Sequence, residues 1–186
     1  MKKLLVGAAV FAAMVAATST AHAQSSSSPV TFGFSGGLTI PFGSLGDING
    51  AGLNLQAHAG IKPSSIPFGL RGDLGLFTTA GKTLPNVGNV AGNSYPSTTW
   101  TTANVNAVYN FEGAKDATFV PYVLGGVGLY NGTRGFGSKF GVNGGGGLTF
   151  KLSGFDAFAE ARVHNIFTDG FSARMIPISF GINFKP

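Results

Sequence analysis

In the stretch FDAFAEARVHNIF (Phe155–Phe167) an acid, a base and an imidazole recur at every second position: Glu160, Arg162 and His164. Such a set can serve general acid–base catalysis, ion pairing, or a hydrolytic site in which imidazole activates a nucleophile. The stretch lacks the nucleophile. Hydrolysis needs a hydroxyl in contact with the base and a third group that orients the base. No serine accompanies His164, and neither His58 nor His164 is followed by a serine two positions on. On a strand, alternate side chains point to opposite faces. Ala159, Ala161 and Val163 then form a wholly apolar face behind the three ionisable groups.

Other short motifs carry less chemistry than their letters suggest. Arg71-Gly72-Asp73 spells an integrin-type motif, but alternation puts Arg71 and Asp73 on one face of a strand, and such recognition sites belong on exposed loops. Gly81-Lys82-Thr83 resembles the end of a phosphate-binding loop; the glycine required five residues earlier is Leu76, and no helix follows. Asn131-Gly132-Thr133 matches a glycosylation sequon. Asp47, Asp116, Asp156 and Asp169 lie singly at turns, which is ordinary turn chemistry and supplies no oxygen cluster for calcium. There is no cysteine, so disulfides and thiolate metal sites are excluded. No catalytic residue, metal or cofactor is expected.

The elements that position these residues follow from composition and periodicity. The chain has 186 residues, enough for one domain. Lys2-Lys3, the apolar run Leu4–Ala17 and Ala21-His22-Ala23 have the three-part form of a secretory signal peptide. The run is shorter than the roughly 20 residues a spanning helix needs. Residues 1–23 are therefore expected to be a cleaved signal peptide, residues 24–29 a polar lead-in, and 30–186 the folded domain. Formal charge is +5, two units of it from Lys2 and Lys3, and the remaining bases are scattered, so nucleic-acid binding has no footprint. Charged residues make up 10% of the chain against about 25% in soluble domains, and glycines number 30. Low charge, many glycines and aromatics, and no spanning apolar run suit a transmembrane β-barrel, whose strands are about 9–11 residues long and alternate in polarity.

Eight alternating segments can be marked: Val30–Ile40, Leu53–Ile61, Ile66–Phe77, Trp100–Phe111, Phe119–Tyr130, Phe140–Phe150, Phe155–Phe167 and Ile176–Phe184. In the second, Leu53, Leu55, Ala57, Ala59 and Ile61 oppose Asn54, Gln56 and His58. The fifth is apolar on both sides and has no readable facing. Connections at 62–65, 112–116 and 152–154 read as short turns, and those at 42–50, 78–99, 131–138 and 168–173 as longer loops on the opposite rim. Pro121 and Pro177 fall inside segments of a sheet with no free edge and count against the barrel reading; local bulges could absorb both. The fold class is all-β: an eight-stranded antiparallel up-and-down transmembrane barrel, with a soluble lipocalin-like barrel as runner-up. In the membrane reading the alanines of the seventh segment face lipid and its ionisable groups face the lumen. A small lumen holds side chains and little else, so an arginine there needs a partner. Arg71, Asp73, Glu160 and Arg162, with His164, are expected to form an interior ionic network, with Asn104, Asn106, Asn143 and Gln56 satisfying the remaining groups. The long loop Thr78–Thr99 is the candidate recognition surface, with Lys82, Asn86, Asn89, Asn93 and Tyr95 as its candidate residues.

The elements Pro41–Ile48 (PFGSLGDI), Pro121–Tyr130 (PYVLGGVGLY), Phe158–His164 (FAEARVH) and Ile176–Phe184 (IPISFGINF) resemble those of the small eight-stranded outer-membrane barrels, the family of the OmpA barrel domain and OmpX-like proteins. The resemblance implies an outer-membrane location, contact with outer-membrane lipids and lipopolysaccharide, and recognition of the aromatic-ended last segment by the outer-membrane assembly machinery. It implies no single activity. The chain ends at its last strand, so the peptidoglycan-binding domain of the OmpA type is expected to be absent. A non-enzymatic role in envelope structure or surface contact with an unidentified partner is expected; a lipid-modifying barrel enzyme and a narrow pore or carrier of small apolar solutes are the alternatives.

Overall fold

A computed structural model of the chain describes residues 30–85, 92–111 and 118–184. The signal-peptide and lead-in readings at 1–29 lie outside the described residues. Eight long strands dominate: β1 (Val30–Phe42), β2 (Gly52–Ile61), β3 (Gly69–Thr83), β4 (Thr98–Asn110), β5 (Phe119–Gly132), β6 (Gly137–Lys151), β7 (Asp156–Phe167) and β8 (Ser172–Phe184). Each pairs antiparallel with its neighbours in sequence, β1 also pairs with β8, and the β3–β4 ladder completes the circuit. The result is a closed up-and-down barrel, and closure leaves no strand edge unpaired.

All eight expected segments are strands, and the corrections concern their ends. Both termini of the barrel lie on one rim. Most strands run further than expected at the opposite, far rim: β3 continues to Thr83, β4 starts at Thr98, and β8 starts at Ser172. Backbone ladder bonds need no apolar side chain, so Thr78, Thr79, Thr98 and Thr99 pair as well as any leucine. The expected asymmetry of loop lengths is reduced accordingly. Residues 133–136 and 168–171 are four-residue turns, no longer than 152–155 on the terminal rim. The turn after β5 is tight enough to hold Arg134 at φ 64° and Gly135 at φ 85°. A five-residue helix, α1 (Ser44–Ile48), follows β1 across the mouth of the far rim.

Neither proline is absorbed by a bulge. Register is constant across Pro121, which pairs with Leu148, and across Pro177, flanked by Met175–His164 and Ile178–Ala161 pairs. The β7–β8 ladder simply omits Ile176 and Pro177, because proline has no N–H to donate. The omitted rung costs less than a bulge, which would turn every later side chain to the wrong face.

Facing follows the alternation. Phe34, Leu53, Leu55 and Phe180 point outward and are 59–65% exposed, whereas their neighbours Ser35, Asn54, Gln56 and Ser179 point inward and are buried. The unreadable fifth segment resolves with Tyr122, Leu124 and Tyr130 inward and Val123, Val127 and Leu129 outward. Tyr109, Phe111, Phe119, Phe150, Phe155 and Phe184 are exposed around the terminal rim, as an aromatic girdle at a bilayer interface would be. The barrel is thus polar within and apolar without, which the lipocalin-like alternative does not predict. With Ser179→Cys and Phe180→Cys variants spin-labelled in phospholipid vesicles, lipid-dissolved oxygen is expected to relax the label at 180 strongly and the label at 179 weakly. The reverse order would refute the facing.

Candidate functional site: the barrel lumen and its far rim

The inward residues of β7 give the lumen its layers. From the terminal rim they are Asp156, Phe158, Glu160, Arg162, His164 and Ile166, all buried. Phe158 stacks edge-on against His58, with ring centroids 5.4 Å apart. His58 Nε2 lies 2.6 Å from Asn183 Oδ1, and both pack across Gly33, where a Cβ would sit 2.3 Å from that nitrogen. A side chain at residue 33 would displace this contact.

The next layer is a closed ring of four ions. Arg71 Nε lies 3.0 Å from Asp73 Oδ1, and Arg71 Nη2 donates to Glu160 Oε2 at 2.8 Å. Arg162 Nη1 donates to Asp73 Oδ2 at 2.7 Å, and its Nε to Glu160 Oε1 at 2.6 Å. Charges alternate around the ring and sum to zero. Arg71 and Asp73 stand on β3, Glu160 and Arg162 on β7, and four strand steps separate β3 from β7 in either direction round the barrel. The ring therefore bridges opposite walls. Neutral side chains complete it: Asn106 Nδ2 donates to Asp73 at 2.7 Å, Tyr122 Oη to Glu160 at 2.8 Å, and Arg162 Nη2 to Gln56 Oε1 at 3.3 Å. Tyr122 reaches the centre because β6 presents Gly147 beneath it; a Cβ there would lie 2.6 Å from the tyrosine hydroxyl. Asn104 and Asn143 share this face without bonding to an ion; Asn104 Nδ2 donates to Thr102 Oγ1 at 3.3 Å.

His164, expected as a member of the ionic network, stands one layer further on. It shares a 2.8 Å hydrogen bond with Tyr130 Oη through Nδ1 and packs on Phe77 at 5.3 Å. Its neighbours are apolar because the far end of the lumen is a hydrophobic plug: Leu45, Phe77, Trp100, Tyr130, Ile166, Ala173 and Met175 are buried together. Phe136 and Phe171, from the two four-residue turns, pack over them, and Phe136 lies 5.0 Å from Trp100. Lys139 and Asp169 form an ion pair between the same two hairpins. An interior apolar layer was not expected from the sequence. The available signal was that Phe77, Trp100 and Ile166 fall out of phase with the outward residues of their segments.

The candidate recognition loop is partly strand. Lys82 pairs with Tyr95, Thr83 with Ser94, and Lys82 Nζ donates to Gly46 O at 3.2 Å. The Asn93 carbonyl accepts from Leu84 N at 2.9 Å. Asn49 Nδ2 anchors the base of this ribbon to Ala80 O and Pro96 O. Asn86 and Asn89 lie outside the described residues. Arg71-Gly72-Asp73 points into the lumen, away from any cell surface. Among the described residues no group of metal-ligating side chains gathers.

A closed eight-stranded barrel with an apolar outside and charged lumen defines a class: the small outer-membrane β-barrels. Solved structures agree on the fold. Neisserial surface protein A superposes with a TM-score of 0.60 at 16% identity, over 86% of this chain and 98% of that one. The outer membrane protein OprG from Pseudomonas aeruginosa gives 0.57 at 12% identity over 86% and 98%. A major outer membrane protein from Thermus thermophilus gives 0.50 at 12% over 84% and 99%. No family model and no curated protein sequence matches the chain. The chain has the fold of the small eight-stranded outer-membrane β-barrels.

Breaking the ring on one side leaves an uncompensated buried charge. Glu160→Gln is expected to lower the unfolding free energy by about 3–5 kcal/mol, read from urea midpoints in vesicles. Glu160→Gln with Arg162→Gln leaves the Arg71–Asp73 pair neutral and is expected to cost less than the sum of the two single changes. Additive losses would show that the ring is not one unit. Gly147→Ala is expected to displace Tyr122 and cost about 1–3 kcal/mol by the same measurement.

Proposed function

We propose that this protein is an integral outer-membrane barrel, non-enzymatic and plugged, which serves the envelope as a structural element or presents its far rim to a surface partner. One observation carries this reading: the reversal of polarity between wall and lumen, with Phe180 65% exposed beside Ser179 at 2%. An exterior of that kind is stable only against acyl chains. Export by residues 1–23 and recognition of the aromatic-ended β8 by the assembly machinery belong to the same proposal.

The lumen favours a plug over a pore. The ion ring bridges opposite walls, and the apolar cluster seals the far mouth. The geometry also gives an enzyme little support, since the two lumen histidines contact Asn183 and Tyr130 rather than a serine. Expressed in a Gram-negative host, the protein is expected in the outer-membrane fraction, migrating differently on gels before and after boiling. Planar bilayers containing it should show almost no conductance, and lipid A and phospholipids of the host should be unchanged by mass spectrometry. A steady open channel would refute the plug, and a modified lipid would replace this reading with the enzymatic one.

A further inference from the structure

The outward face of β8 is apolar from Ile176 to Phe184, at every second residue, and is then interrupted by Arg174. Arg174 is exposed and pairs in register with Phe42 on one side and Asn165 on the other. Its Nε donates to Asn165 Oδ1 at 3.0 Å, and Asn165 itself interrupts the outward apolar series of β7 between Val163 and Phe167. A polar pair has therefore been placed on the outer wall, at the far-rim edge of the apolar belt. Beside it Phe140 and Phe167 stack nearly parallel, with centroids 6.2 Å apart.

The other described cations of this rim are already engaged in ways that suit the rim itself. Lys139 pairs with Asp169, Lys82 donates to Gly46 O, and Arg134 sits at a turn tip and donates through Nε to Ser97 O. Arg174 forms no ion pair among the described residues, and its hydrogen bond uses only Nε. That bond fixes the plane of the guanidinium and leaves Nη1 and Nη2 as a two-pronged donor. A guanidinium fork matches two oxygens of a phosphate. An arginine on a lipid-facing wall is costly at mid-bilayer and nearly cost-free at the interface, where lipid phosphates lie.

We propose that Arg174, oriented by Asn165, is a binding site for the phosphate of a membrane lipid headgroup at the far-rim edge of the belt. The acyl chains of that lipid lie along the outward residues below it: Ile176, Ile178, Ala161 and Val163. This rests on the membrane reading above and names a lipid contact within it.

The test uses the folded full chain in neutral detergent micelles, titrated with dioleoyl phosphatidic acid or dioleoyl phosphatidylcholine and read by native mass spectrometry. The wild type is expected to bind one phosphatidic acid about tenfold more tightly than phosphatidylcholine, as one charge-assisted contact would give. Arg174→Gln should abolish that preference, Asn165→Ala should reduce it, and Arg134→Gln, at the same rim, should keep it. The proposal falls if Arg174→Gln retains the preference or Arg134→Gln loses it equally. Displacement of the lipid by millimolar inorganic phosphate would also overturn it, by showing a site for the free anion. Loss of heat-modifiable migration in a variant marks misfolding; Arg174→Lys, which keeps the charge without the fork, then supplies the comparison and should show a weakened preference. Absence of heat-modifiable migration in the wild type would mean that the barrel reading itself has failed.

Discussion

Four charges closed into a neutral ring are the constraint around which the lumen is arranged. The interior of an eight-stranded barrel is too narrow for free water to solvate an arginine, so each guanidinium must find its counter-charge on the wall opposite. Arg71 and Asp73 on β3 meet Glu160 and Arg162 on β7, and each carboxylate serves both arginines. A shift of either strand by one residue would turn its pair out into the apolar belt. The ring therefore fixes the register of two opposite staves and leaves their neighbours little freedom to slip.

The wall is shaped to accommodate that ring. Glycines lie where large side chains must cross: Gly147 under Tyr122, Gly33 under the His58–Asn183 contact. The cost is a thin wall, and aromatic rings laid over glycines recover part of the lost packing. Pro177 weakens the β7–β8 ladder next to Arg162, yet register holds through it, because pairs on both sides continue in phase. Beyond the ring the lumen changes character. Rings from three strands (Phe77, Trp100 and Tyr130), with Phe136 and Phe171 folded over from the turns, fill the far end with apolar contacts. Two unlike materials thus fill one lumen in series, ionic at the centre and hydrophobic at the far end.

Strand number and facing were legible because alternation is local. Leu53 to Ile61 reads as one face of one strand whatever lies beside it, and a belt facing lipid makes the outward residues uniformly greasy. The ionic ring was legible for a related reason: few charges exist in this chain, and those on inward faces had to satisfy one another. Strand ends were not legible, because Thr78–Thr83 looks like loop by composition and is strand by pairing. The five-residue helix α1 and the Lys82–Tyr95 ribbon likewise depend on partners far along the chain.

The sequence by itself determined the two-faced wall, since side-chain period and polarity are written residue by residue. Tertiary structure alone decided which lumen residues meet. Whether His164 joins the ions or the aromatic plug depends on the stagger between strands, which sets the height at which Tyr130 and Phe77 arrive beside it. Stagger is a property of the closed sheet, fixed by the sum of all eight pairings, and no single segment contains it.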